Sequence, residues 1–417
     1  MSADADPRPT ILILSYSDLR TDPRVQRQFE TLADGYRLVA AGIGGAGRDD
    51  VCFIPIVRER NGFFAKAANA VRLLAPSYRT HSYRTHYDAQ RWFRSLRRRL
   101  AEAAEPFDLV LANEYETLPL AVDVAGSRPV VFDAHEYSPG QSDPRSWFGR
   151  RWIAYRERLL RDCLPRCAAT MTVSPGLAEL YDRLAGVRPE VVLNAPEFVD
   201  QSPSPVDAER IELVHHGAAA AARRLDVLID AMRHLDDQYR LTLFLASHGH
   251  NGERDRLAQM VADSPTLTRR VSIQPAIPMP EIACTLNRFD LGLHFLSGHL
   301  LNHRHALPNK LFEFVQARLG VVFAAGVDCE RLIQQHGFGV SIEAGSSDDP
   351  SPKRFAEAIA ALDVDAIREF KRNADRVAPQ LCSEVSRQAI RRIVDGVMER
   401  SQRPSHREAV SAGERQG

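Results

Sequence analysis

The 417-residue sequence is short of several things that mark other protein classes. Its six cysteines, at 52, 163, 167, 284, 329 and 382, form no CxxC pair and no disulfide-framework spacing. No apolar stretch approaches the roughly 20 residues needed to span a bilayer. The opening MSADADPRPT lacks the basic-then-apolar layout of a secretory signal. These absences predict a reduced, cytosolic compartment. Charge of one sign is also missing: 54 Lys and Arg balance 54 Asp and Glu. That excludes a chain that binds nucleic acid along its whole length, so attraction to an anionic partner must be local.

What is present is a folding composition, 44% hydrophobic and 26% charged. The polar ends, residues 1–8 and 402–417, show no periodicity and are expected to fray. Between them short aliphatic runs alternate with amphipathic segments. Thr10–Leu14 reads as a buried strand. Asp22-Pro23 reads as an N-cap followed by proline at the first helical position. Val25, Phe29 and Leu32 then make one apolar stripe, and Tyr36–Ala41 is the next strand.

The pattern recurs at Leu109–Ala112, Val130–Phe132, Ala169–Val173 and Glu190–Leu193. A Pro/Ser-rich stretch, 200–205, separates this set from a second. The second set has strands at Ile211–His215, Leu241–Ala246, Val271–Gln274, Leu291–Phe295 and Val321–Ala324. Helices fit between them, as at Arg224–Leu235 and Lys310–Arg318. Alternating β and α imply α/β units with doubly wound parallel sheets. Two units of about 190 residues are expected on ordinary domain sizes. Ligands are expected at the carboxyl ends of the strands, in a cleft between the domains.

Gly42-Ile-Gly44-Gly45-Ala-Gly47 carries the letters of a dinucleotide fingerprint. That mechanism needs the loop to open a helix and follow the first strand, whereas this one follows the second and precedes another strand-like run. It reads as a flexible turn. The segment NHRHALPNKLFEFVQARLGVV, 302–322, says more. Proline and asparagine lead into an amphipathic helix whose free N–H groups favour an anion, with Lys310 adding charge. Glu313, one turn in, can accept hydrogen bonds from vicinal hydroxyls. An ordinary capped helix with a surface Lys–Glu pair has the same spacing.

This segment resembles the sugar-nucleotide signature of the group 1 glycosyltransferases, retaining enzymes of the GT-B fold. Other segments resemble that family in the expected order: TDPRVQRQFETLADGYRLV, VVFDAHEYSPG, AATMTVSPGLAELY, VVLNAPEF and VHHGAAAAARRLDVLIDAM. The likeness runs over nearly all of residues 10–400. It implies an acceptor-binding domain over 9–199 and a nucleotide-sugar domain over 209–380. It also implies a final helix, 384–400, crossing back to the first domain.

Carried across, the resemblance assigns Glu313 to the ribose, and Asn309, Lys310 and the backbone at Leu307-Pro308 to the diphosphate or sugar. Arg223 would neutralise diphosphate charge. Arg224 replaces the usual glycine beside it, which leaves open which arginine reaches the ligand. Gly217 would permit close backbone approach, or simply make a turn. His135 would contact the transferred sugar, with Glu136 touching sugar hydroxyls or capping the next segment. Asn113 and Glu114 would line the acceptor side or serve as loop residues. His305 stands where many members have the first glutamate of an E-x7-E pair, and 218–222 is all alanine where a basic residue is common.

The expected activity is transfer of a sugar from a nucleoside-diphosphate sugar to a saccharide, lipid-linked or small-molecule acceptor in polysaccharide or glycoconjugate synthesis. It would proceed with retention, without metal and without a cofactor beyond the nucleotide-sugar co-substrate. A GT-B sugar-nucleotide epimerase and a silent GT-B scaffold are the alternatives. The histidines at 299, 303 and 305 invite a metal reading but lack a third-ligand motif. Asp363-Val-Asp365 reads as a solvated face. From Arg60 to Arg99 ten basic residues meet one acid, Asp88, with aromatics interleaved. That run suggests either docking on an anionic membrane, on the inner face of the plasma membrane, or a solvated helix with its aromatics in the core. No nucleic-acid module accompanies it.

Overall fold

The computed structural model describes residues 7–56, 83–88, 90–103, 106–246, 252–296, 300–343 and 351–402. The ends at 1–6 and 403–417, most of the 60–83 part of the basic run, and His299 lie outside them. The chain divides into two compact units. One comprises residues up to Val173, Leu177–Val192 and the chain from Arg387 onward; the other comprises Ser174–Gly176 and Leu193–Ser386.

The first unit is built on seven strands: β1 (Thr10–Asp18), β2 (Arg37–Ile43), β3 (Val51–Pro55), β4 (Leu109–Asn113), β5 (Val130–Ala134), β6 (Ala169–Thr172) and β7 (Glu190–Val191). They pair in the order β3-β2-β1-β4-β5-β6-β7, and every pairing is parallel. Order reverses beside β1, the switch point at which such sheets open a crevice. Along β1 Ile11 and Ile13 enter one core, and Leu12 and Leu14 the other. Both faces are covered, so the strand reads as a continuous apolar run and not as an alternation.

Helix α1 (Pro23–Leu32) starts as its sequence demands. Asp22 accepts from the backbone N–H groups of Arg24 and Val25, with proline inside the first turn. Its stripe of Val25, Phe29 and Leu32 is fully buried. Helix α2 (Arg91–Ala103) buries Phe93 and Leu96, and Trp92 lies 4.5 Å from the Tyr16 ring. Arg94, Arg97 and Arg98 face outward. In this part of the basic run the aromatics serve the core. Helices α3 (Glu114–Ala125) and α4 (Trp147–Cys163) follow β4 and β5. The triple-glycine loop, with positive φ at Gly44, Gly45 and Gly47, joins β2 to β3 and opens no helix.

The second unit repeats the scheme with β8 (Ile211–Ala218), β9 (Tyr239–Ala246), β10 (Val271–Pro275), β11 (Leu291–Phe295), β12 (Gly320–Ala325) and β13 (Gly339–Glu343). The order is β10-β9-β8-β11-β12-β13, again all parallel. Val321 and Phe323 pack on one face, Val322 and Ala324 on the other. The helix expected over 224–235 is shorter, Leu225–Ala231, and tightens into a 3-10 turn at Met232–His234. Helix α5 (Asn309–Gln316) leads into β12.

The last helix, α6 (Ser383–Gln402), returns to the first unit. Its Ile390, Ile393, Val394, Val397 and Met398 share a core with Ile11, Val25 and Phe29, and the Tyr36 hydroxyl donates to Asp395 at 2.6 Å.

Candidate functional site

In the first unit a polar cluster gathers at the carboxyl ends of β4 and β5, beside α1. Arg24 grips Asp133 through two bonds, Nε to Oδ2 at 2.8 Å and Nη2 to Oδ1 at 2.7 Å, and its Nη1 donates to the Val192 carbonyl. Both side chains are buried. Burial works to raise the Asp133 carboxyl, but Arg24, His135 and the Gln28 bond outweigh it and hold it below its ordinary value. An ionised Asp133 is therefore a fixed acceptor.

That acceptor orients everything above it. Gln28 Nε2 donates to Asp133 Oδ2 and to Asn113 Oδ1, both at 2.8 Å, while Asn113 Nδ2 donates back to Gln28 Oε1 at 3.0 Å. The Asn113 carbonyl oxygen must then face His135, whose Nε2 lies 3.1 Å away. A hydrogen on Nε2 leaves Nδ1 of the neutral ring bare. Nδ1 sits 3.2 Å from Glu114 Oε1, a contact that is attractive when the carboxyl carries the proton. The surroundings agree. Burial, then the carboxylates of Glu116, Glu136, Asp133 and Asp22, push Glu114 well above its ordinary value. Burial lowers His135 despite Asp133.

Glu114 is also strained, with φ of +64° at the first position of α3. A non-glycine residue held there costs of order 1–3 kcal/mol and needs surroundings that enforce it. Its side chain remains 28% exposed. Asn113, for which a loop role was an alternative, is instead wholly buried in the network. Glu136 accepts from the Gln141 amide, and its carbonyl accepts from the Tyr181 hydroxyl.

The second unit's cluster is built differently. Gly217, near the end of β8, has φ of +135°, and a Cβ there would meet Lys310 Nζ at 2.8 Å, so the glycine admits that lysine. Lys310 lies in the first turn of α5, whose N-cap is Pro308 and whose start no side chain caps. Burial and the nearby Arg223 lower Lys310; Glu313 pulls it back up. Arg224 is engaged by Asp226 at 3.2 Å, whereas Arg223 is exposed with no carboxylate within 4 Å among the described residues. Of the two arginines, Arg223 is the one at liberty to meet an anion.

His216 Nε2 lies 3.1 Å from Glu313 Oε2. Beneath them His215 and His294 stack with centroids 5.9 Å apart. His215 Nδ1 bonds the Leu293 carbonyl, whereas neither ring nitrogen of His294 has a hydrogen-bond partner among the described residues. Burial foremost, then Lys310, drives both rings well below their ordinary value, so they are neutral. Leu307 is buried, so only its backbone is available, and the Asn309 side chain accepts from Asn194. His305 ends a short helix, Leu301–His305, with Nδ1 3.5 Å from buried Asp328.

Among the described residues no group of three or more His, Cys, Asp or Glu is placed to hold a metal ion. Asp363 is a helix N-cap and Asp365 pairs with Arg368. Sequence reasoning did not single out Arg24, Gln28, Asp133, His216 or His294. The first two sit in the quoted PRVQRQ run, where other polar residues at 26 and 27 leave nothing in the letters to mark them out. His294 is the polar letter in the strand LGLHF.

A family model, Glycosyltransferase Family 4, matches residues 49–203. The fold is that of the GT-B glycosyltransferases. HepE of Anabaena, solved in complex with UDP, is 16% identical, with a TM-score of 0.67 over 93% of this chain and 100% of its own. A sucrose-phosphate synthase from Thermosynechococcus elongatus is 13% identical, with a TM-score of 0.68 over 94% and 100%. An α,α-trehalose-phosphate synthase (UDP-forming) from Burkholderia vietnamiensis is 11% identical, with a TM-score of 0.63 over 95% and 99%. No curated protein matches the sequence.

Proposed function

We propose that this chain is a glycosyltransferase that takes a sugar from a nucleoside-diphosphate donor, with retention and without a metal, and passes it to a saccharide or lipid-linked acceptor in glycoconjugate synthesis. The observation that carries the reading is the cationic corner of the second unit, where, among the described residues, two basic groups meet the one nearby carboxylate of Glu313. Lys310 is packed against a glycine, Arg223 is free of carboxylates, and an uncapped helix start lies between them in sequence and chemistry. Such a corner favours an anion that bridges several donors, as a diphosphate does.

Glu313 is proposed for the ribose hydroxyls. Negative charge grows on the diphosphate as the anomeric bond breaks, so Lys310, Arg223 and the helix amides would bind the transition state more tightly than the ground state. The departing phosphate oxygen would take the acceptor proton, with His135 and Glu136 as contacts for the transferred sugar. HepE was solved with UDP-glucose as well as UDP, which makes uridine donors the first to try.

The test is a thermal-shift series with UDP-, GDP-, ADP- and dTDP-sugars on wild type and Glu313→Ala. A donor at about 100 times its Kd should stabilise the wild type by about 2.7 kcal/mol, and the variant by less. No shift with any of them, or an equal shift in the variant, removes the reading. Products with inverted anomeric configuration would remove the retaining mechanism.

A further inference from the structure

The sequence drew attention to the basic run ending in α2, yet among the described residues of the first unit the exposed aromatics lie elsewhere. Trp147 and Phe148, at the start of α4, are 42% and 51% exposed. Their rings meet edge to face at 5.1 Å and turn away from every core cluster. They leave two adjacent large apolar side chains in water at one helix tip.

The tip is held in shape. Ser146 caps the Gly149 N–H at 2.8 Å, and a Cβ on Gly149 would strike the Asp143 carbonyl oxygen. Arg156 donates to the Ser138 carbonyl and the Ser142 hydroxyl, which ties the helix to the segment that follows His135 and Glu136.

Behind the aromatics runs a cationic stripe. Trp147, Arg151, Ala154, Arg158 and Arg161 recur at intervals of four and three residues along one helix face, with Arg150 beside them. The Arg151 guanidinium covers the Trp147 ring at 5.1 Å. Arg150, Arg151 and Arg158 have no carboxylate within 4 Å among the described residues; Arg161 alone of the stripe reaches one, Glu157 at 3.7 Å. Aromatic tips flanked by arginine stems that can lift their charge to the headgroups are the chemistry of an interfacial helix.

We infer that the Trp147–Phe148 tip and the arginine face of α4 dock this protein on an anionic lipid bilayer. The charge argues for lipid over a second copy of the chain, because a two-fold self-contact would set the arginines against themselves. The aromatics would enter the headgroup layer, and each arginine near the surface would raise affinity about fivefold.

The experiment is flotation of the whole chain with vesicles of equal parts phosphatidylglycerol and phosphatidylcholine, and with phosphatidylcholine alone. Wild type should float only with the anionic vesicles, and its tryptophan emission should shift to the blue. Arg150→Gln, Arg151→Gln and Arg158→Gln together should weaken binding about a hundredfold. Trp147→Ser with Phe148→Ser should weaken it at least about tenfold. Unchanged circular-dichroism melting shows that both variants are folded.

Flotation equal to wild type in both variants, no flotation of wild type, or a wild-type dimer that Trp147→Ser dissociates would each overturn the inference. It stands apart from the donor reading. A protein that floats but ignores every nucleotide sugar loses that reading and keeps this one.

Discussion

The two sheets share one strand order, and each has a polar cluster at its strand ends, but the clusters are finished to different degrees. In the first unit Arg24, Asp133, Gln28 and Asn113 satisfy one another, and the chain of bonds decides which nitrogen of His135 carries hydrogen. In the second, burial holds Lys310 down with Glu313 only partly offsetting it, and among the described residues Arg223 has no carboxylate within 4 Å and His294 no hydrogen-bond partner at either ring nitrogen. One cluster is complete without a ligand and serves as a rigid mount. The other leaves ring nitrogens and a basic side chain without partners among the described residues.

The widest gap between them should appear in stability. Arg24→Ala leaves Asp133 buried without its partner and should cost about 3–5 kcal/mol, measured by urea unfolding. Lys310→Ala removes a cation that already suffers from burial, so the free protein should change by less than about 1 kcal/mol or gain. Equal losses at both sites would erase the contrast.

Ligand response should run the other way. Lys310→Ala and Glu313→Ala should each reduce the donor-induced rise in melting temperature, while Gln28→Ala should leave it nearly intact. Lys310 also offers a direct probe, since only four of the 54 basic residues are lysine. Amine-specific labelling followed by peptide mapping should find position 310 protected by a true donor.

Among histidines, acid should weigh most on the second cluster. The folded rings of His215 and His294 protonate well below 6.5, whereas in the unfolded chain they protonate near it. The unfolded state therefore binds protons first, and stability, full above pH 6.5, falls as the solution is acidified below it. His294→Phe, beside Phe323 at 5.1 Å, should flatten the slope between pH 7 and 5. A slope as steep as wild type would show that His294 is not its source.

The smallest effect concerns Glu114. Glu114→Gly relieves the positive φ and should raise stability by up to about 1 kcal/mol while lowering turnover. A loss of stability would mean that the contact with His135 outweighs the strain.

Much of the frame was legible in the sequence because it rests on local rules. Asp22-Pro23 caps α1, β12 sits within one residue of its expected place, and β1 starts at Thr10 as expected but runs four residues further, to Asp18. Lys310 and Glu313 were singled out through their helix start, which the structure places at Asn309. The mount around His135 was not, because Gln28, Asn113 and Asp133 come from three elements and meet only through sheet order. Spacing cannot report a contact across 85 residues, the separation of Gln28 and Asn113. The exposed face of α4 escaped for the opposite reason. Its WFGRRW letters read like any amphipathic start, and only packing shows which aromatics stay outside.

The closing stretch of the chain has a consequence for biogenesis. Ile390, Val394 and Val397 pack beside Ile11 of β1 and Val25 and Phe29 of α1. A nascent chain that has made its first 192 residues must wait for some 210 more, roughly 10–40 s of translation, before that apolar seam is shut. Truncation before Ile390 should therefore leave the opening half, not the tail, prone to aggregation and in need of chaperones.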